Sequence, residues 1–198
     1  MTEIVLASGS SARSAMLSAA GIAHRIDVSR VDEQSVKQAM LAEGAPPRDI
    51  ADKLAELKGL RVSARNSDAL VLSADQVLVC NGQLFDKSPD METLRTQLLN
   101  LRGQAHELLS AAVICEGGKP VWRHIGRAQL IMRSFSDAFL TQYLEEEGEV
   151  LLQCVGGYRL EGRGAQLFSR VQGDYFSVLG LPLLEVLGFL RAREVCIE

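Results

Sequence analysis

A chain of 198 residues with 47% hydrophobic side chains has enough apolar surface for a sizeable core without disulfide support. Its formal net charge of −4 excludes a general binder of nucleic acid or anionic membrane, so any anion it takes must be met by a local cluster of cations. Cys80, Cys115, Cys154 and Cys196 include no Cys-x-x-Cys pair, and His24, His106 and His124 show no metal-ligand spacing. Buried thiols in a reducing compartment are expected, not zinc or a disulfide framework. No basic region followed by a long apolar run opens the chain, and "VLGLPLLEVLGFL" is too short for a span and is interrupted by Pro182 and Glu185. A soluble, cytoplasmic protein is the expectation.

Ile4–Ala7 is a short apolar run bounded by small residues and reads as a buried strand. It leads through "SGS" into a helix from about Ala12 to Ala20, with Gly21 at the position of a C′ glycine. His24–Val28 alternates as a second strand. Pro46 and Pro47 open a helix that carries Ile50, Leu54 and Leu57 on one face. In "ALVLSADQVLVCNGQLF" two β-rich runs flank the polar break "SADQ", and Asn81-Gly82 is a hairpin turn. Asp90 caps a helix with Leu94, Leu98 and Leu101 on one face, ended by Gly103. Two long antiparallel strands are predicted around Gly117-Gly118. A helix capped by Ser136 ends near Gly148, and a last helix begins near Leu183. Strands and helices interleave throughout, so the fold class is α/β with some antiparallel pairing.

Charged residues stand where the surroundings are apolar or glycine-rich. Asp75 interrupts a buried β-rich run, where a carboxylate must be paired, hydrogen-bonded or metal-bound. Lys87 follows the Asn81-Gly82 hairpin, Asp32 and Glu33 follow the second strand in a polar loop, and Ser8 and Arg13 flank the first loop. The first loop is not a Walker A motif, because it lacks the second glycine followed by Lys and Ser or Thr. Each residue taken alone has an ordinary structural role: a cap, a surface charge or a bulge. If the strand ends meet, two carboxylates, a lysine, an arginine and free amides suit a magnesium-assisted attack on a phosphate.

The stretch "LASGSSARSAML" (Leu6–Leu17) resembles the opening Leu-Ala-Ser-x-Ser-Pro-x-Arg-x-x-x-Leu signature of the Maf family of nucleotide pyrophosphatases. "VDE" (Val31–Glu33), "LAELKG" around Lys58, "SADQVLVCNGQLFDKSPD" and "EGRGAQLF" followed by "GDYFSVLGLPLL" resemble its other blocks in the same order, over nearly the whole chain. The resemblance implies one domain over residues 1–198, with a mixed, elongated sheet flanked by helices and two lobes about a central cleft, like the inosine triphosphatases. It implies hydrolysis of a nucleoside triphosphate to the monophosphate and pyrophosphate with a divalent cation (Mg²⁺, Mn²⁺ or Co²⁺). It also implies a nucleotide partner, with no nucleic acid polymer or membrane; a homodimer is among the oligomeric states left open.

Carried over by position, Asp75 activates water or holds the metal, Glu33 is a metal ligand, and Arg13 and Lys87 bind phosphates. Lys58 assists, Ser8, Ser10 and neighbouring amides cradle the phosphate tail, and Gln76 and Glu161 complete the substrate-binding set. The family's links with septum formation leave a second class open, a nucleotide-binding regulator without turnover. Against that class stand the retained Glu33, Asp75 and Lys87.

The chain departs from the signature at Ser11, where the family has proline, and at Ala12, where many members carry a first arginine. The family's Gly-Lys-Pro is Asp86-Lys87-Ser88 here, with the proline displaced to Pro89. One branch, acting on dTTP and UTP, carries Arg-Arg, Asp-Thr and Gln-Gly. The other resembles this chain, with Arg13 alone, Asp75-Gln76 and Glu161-Gly162, and is associated with 7-methyl-GTP. A glutamate can accept both donors of a guanine edge, whereas uracil and thymine offer one. The positive charge of 7-methylguanine further suits a carboxylate and an aromatic face such as Tyr158 or Phe168.

Overall fold

The computed structural model describes residues 2–196. Its elements in chain order are β1 (Ile4–Leu6), α1 (Ser11–Ala19), β2 (Arg25–Ile26), α2 (Glu33–Ala42), α3 (Pro47–Ser63), β3 (Leu70–Cys80), β4 (Gln83–Phe85), α4 (Met91–Leu101), β5 (Ala105–Glu116), β6 (Lys119–Met132), α5 (Asp137–Glu147), β7 (Phe168–Gly173), α6 (Tyr175–Val178) and α7 (Leu183–Ala192). Single 3₁₀ segments cover Gly148–Gln153 and Arg163–Leu167. The strands form one seven-stranded mixed sheet in the order β2-β1-β3-β5-β6-β7, with β4 on β3. The expected α/β class is therefore what the chain forms.

The chain divides into two compact units. The first holds the chain up to Gln76, Leu109–Gly126 and the chain from Asp174 onward; the second holds Val77–Leu108 and Arg127–Gly173. In the first, β1 lies parallel between β2 and β3, with Val5 opposite Arg25 on one side and Val71 on the other. Its core gathers Ile4, Leu6, Leu17, Leu72, Ile114 and Leu190 from strands and helices alike. In the second, β4 pairs antiparallel with Leu78–Cys80 through a turn in which Asn81 and Gly82 both have positive φ, as an Asn-Gly hairpin requires. β7 runs antiparallel to β6, and α4 buries Leu94, Leu98 and Leu101 as the spacing predicts.

Three local expectations change. The second strand shrinks to two residues, since β2 is a sheet edge with Ile26 and Val28 each 52% exposed and little to pair with. "SADQ" is no break: β3 runs unbroken through it, because every polar side chain there has a partner. Ser73 Oγ lies 2.7 Å from the Ala55 carbonyl and 3.0 Å from the Val113 carbonyl, sharing its one hydrogen between them, and Asp75 and Gln76 are paired as described below. Glu33 lies not in a loop but at the first position of α2, which Asp32 caps by accepting from the Ser35 amide at 3.1 Å. No residue of α2 is buried, so its apolar positions never produced a core-facing signal in the sequence.

The second unit contains a loop that only glycine can make. Gly157 has φ +69°, and a Cβ there would press into the Leu94 side chain. Its carbonyl accepts from the Tyr143 hydroxyl at 3.2 Å. Gly157→Ala is expected to lower stability by about 2 kcal/mol, read from denaturant unfolding; an unchanged midpoint would show that the loop re-forms elsewhere.

Candidate functional site

The first unit holds seven of the expected residues: Ser8, Ser10, Arg13, Glu33, Lys58, Asp75 and Gln76. At the end of β1, Ser8 is buried, and its Oγ accepts from the Ser10 amide at 3.3 Å. Ser10 caps α1 by accepting from the Arg13 amide at 3.4 Å, and Ser11, where the signature has proline, is the first residue of the helix. Arg13 then folds back over the strand ends. Its Nη1 donates to Ser8 Oγ at 3.0 Å and to the Ala74 carbonyl at 2.9 Å, and its Nε donates to the Gly180 carbonyl at 2.8 Å. These three bonds engage Nε and both hydrogens of Nη1. Burial pulls the guanidinium below its ordinary value, while Asp75 and then Glu33 pull it up, so both carboxylates act on it.

Asp75, one residue beyond Ala74 on β3, is buried at 7% exposure. Its Oδ1 accepts from Lys58 Nζ at 2.6 Å. The same ammonium lies 3.0 Å from Glu33 Oε2. Lys58 reaches this point from α3, and Glu33 from the first turn of α2, where a carboxylate is favourable to the helix dipole. Burial raises the Asp75 carboxyl above its ordinary 3.8; Lys58 and Arg13 oppose this, and Glu33 adds to it. A carboxylate held this way is a better base than a solvated one.

Gln76 is committed to structure at its nitrogen. Nε2 donates to Ser110 Oγ at 2.9 Å and lies 3.1 Å from the carbonyls of Ser177 and Val178. It ties β3 to the α6 segment, whose next turn supplies the Gly180 carbonyl to Arg13. These backbone partners carry no mark in the sequence, since Arg13 and Gly180 are 167 positions apart.

Lys87 and Glu161 belong to the second unit. Lys87 is exposed two residues after β4. Glu161 Oε1 accepts from Arg159 Nε at 3.2 Å, a partner the sequence did not single out. Tyr158 is not an open aromatic face: it is buried, hydrogen-bonded to His106 at 2.7 Å and edge-on to Phe168 with ring centroids 4.8 Å apart. Burial holds His106 neutral, with its pKa lowered to about 4.

Among the described residues no group of three or more His, Cys, Asp or Glu side chains is arranged to hold a metal. Two carboxylates, Asp75 and Glu33, do converge, and the Lys58 ammonium bridges them. No helix among the described residues is long and apolar enough to cross a membrane.

Residues 3–193 match the family model described as Maf-like protein. The chain is 52% identical over 192 residues to a nucleoside triphosphate pyrophosphatase of Granulibacter bethesdensis, covering 97% of this chain and 98% of that protein. It is 50% identical over 192 residues to a protein of the same name from Ruegeria pomeroyi, covering 97% and 96%. One from Caulobacter vibrioides is 48% identical over 191 residues, covering 96% of each. A solved nucleoside-triphosphatase (dITP/XTP pyrophosphatase) from Mycobacterium abscessus is similar at a TM-score of 0.43 and 14% identity, over 98% of this chain and 96% of that one. With a family match over nearly its whole length and relatives at about half identity, the chain belongs to the Maf family.

Proposed function

We propose that this protein hydrolyses a nucleoside triphosphate to the monophosphate and pyrophosphate, acting as one nucleotide pyrophosphatase domain of the cytoplasm. The observation that carries the proposal is the Lys58 ammonium between Asp75 and Glu33, one strand residue from the carbonyl that holds Arg13. The names of the relatives at about 50% identity support it.

Asp75 takes the proton of a water as that water attacks the phosphorus next to the nucleoside. The P–O bond to the outer phosphates breaks, and pyrophosphate leaves. Lys58 keeps Asp75 ionised despite its burial and orients its oxygens. Arg13 and Lys87 stabilise phosphate charge as it builds, and the Ser8–Ser10 turn supplies polar groups at the start of α1. A divalent cation would be held by Asp75 and Glu33. Their carboxylate oxygens are the donor type a hard divalent cation takes, and such an ion would share them with the Lys58 ammonium that now lies between the two groups. When bound, it neutralises phosphate charge and lowers the pKa of water.

For the base we propose a guanine, 7-methyl-GTP first, read by Glu161 as acceptor of the guanine edge donors. Arg13 as a single arginine and the Asp75-Gln76 and Glu161-Gly162 pairs support this choice. Glu161→Gln is expected to shift the ratio of kcat/KM between 7-methyl-GTP and UTP by about tenfold towards UTP, about 1.4 kcal/mol. The panel uses Mg²⁺ or Mn²⁺ and pyrophosphate detection. An unchanged ratio removes Glu161 from base recognition, and absence of turnover on every nucleotide would leave a binder, not an enzyme.

A further inference from the structure

Glu161 is an exposed residue on a turn that the second unit braces from both sides. Arg159 to Gly162 form a tight turn closed by the Gly162 amide donating to the Arg159 carbonyl at 3.2 Å. On its N-terminal side the turn hangs from buried Tyr158, held by His106 and Phe168, and from Gly157, held by Tyr143. On its C-terminal side Gly164 packs on the Arg159 backbone so closely that a Cβ would overlap the Arg159 carbonyl oxygen. The Arg159–Glu161 ion pair thus spans a pre-formed turn, at side-chain exposures of 39% and 30%. Arg159 takes Oε1, which leaves Oε2 as the second acceptor.

Arg159 Nε donates to Glu161 Oε1 at 3.2 Å, so a cation two residues away opposes the glutamate's charge. A site that read a cationic base through charge alone would gain from an unopposed glutamate, and this chain opposes it.

We propose that Arg159 is a specificity-determining residue, one that sets how strongly a cationic 7-methylated purine is favoured over the neutral purine by sharing the charge and one oxygen of Glu161. This rests on the reading of Glu161 as the base contact. With Arg159 present, recognition leans on hydrogen bonding to the guanine edge. Without it, Glu161 loses its ion-pair partner, and the positive base gains while the neutral one does not.

The test is kcat/KM for 7-methyl-GTP and for GTP, at one pH, in the wild type, Arg159→Gln, Arg159→Ala and Arg159→Lys. The Gln and Ala variants are expected to raise the 7-methyl-GTP to GTP ratio about two- to five-fold at low salt, as a part-exposed charge pair allows. The gain should shrink at high ionic strength, and Lys should restore the wild-type ratio. A ratio that is unchanged or lower in both charge-removing variants, or a gain that Lys fails to reverse, overturns the proposal. The two readings fail separately. If Glu161→Gln shifts the guanine-to-uracil ratio while the Arg159 variants leave the methylated-to-plain ratio alone, Arg159 is excluded and Glu161 stands. If Glu161→Gln shifts nothing, both fall.

Discussion

Asp75→Asn is expected to lower kcat by about 10³-fold while the protein stays folded. Asparagine keeps the shape of the side chain on β3 but cannot take a proton from water. The fold should tolerate it because Lys58 retains Glu33, a half-exposed partner at 3.0 Å. Pyrophosphate release gives the rate, and circular dichroism with thermal unfolding gives the state of the fold. Turnover within tenfold of wild type in a folded variant would take Asp75 out of the chemistry.

The same group predicts a titration of the metal-free protein. Burial raises the Asp75 carboxyl above 3.8, so its ionisation, followed by NMR without added divalent cation, should centre above that value. The stability consequence has the opposite sense from an ordinary paired aspartate. A carboxyl raised on folding costs stability at pH values above its folded pKa, and the cost fades as pH falls towards the unfolded value.

Lys58→Met carries the second large effect. It leaves Asp75 buried without its closest cation and leaves Glu33 facing it. Breaking a buried pair from one side costs about 3 kcal/mol. Lys58 is also the largest influence opposing the burial of Asp75, so its loss should move the titration of Asp75 in the metal-free protein to higher pH. Denaturant unfolding checks the first expectation and NMR titration without divalent cation the second. The double variant Lys58→Met/Asp75→Asn separates coupling from general damage: it should be more stable than Lys58→Met alone, since no buried charge is left unpaired. Equal stability of the double and single variants would show that the pair is not the source of the loss.

Much of the fold was legible because its signals are local. Asn81-Gly82, the caps Asp90 and Ser136, and the glycines after α1 and α4 act through neighbouring residues, and each stands where it was expected. The exceptions have a common cause. "SADQ" looked like an interruption because polarity was weighed without its partners, and those partners, Ala55, Val113, Lys58 and Ser110, are at least 17 residues away. Helix α2 escaped notice because it buries nothing, although Asp32 followed by Glu33 and Ser35 is a capping signal in its own right.

The candidate site divides the same way. Its residue types, their order along the chain and their family were readable from the linear pattern, because phosphate chemistry calls for carboxylates, cations and a small-residue turn. What the three-dimensional arrangement alone decided is who restrains whom: that Lys58 bridges Asp75 and Glu33, that the Gly180 and Ala74 carbonyls and the Ser8 hydroxyl hold Arg13, and that Arg159 holds Glu161. Charges and hydrogen bonds act over a few ångströms of space whatever the separation in the chain, so a sequence names the groups while folding assigns their partners.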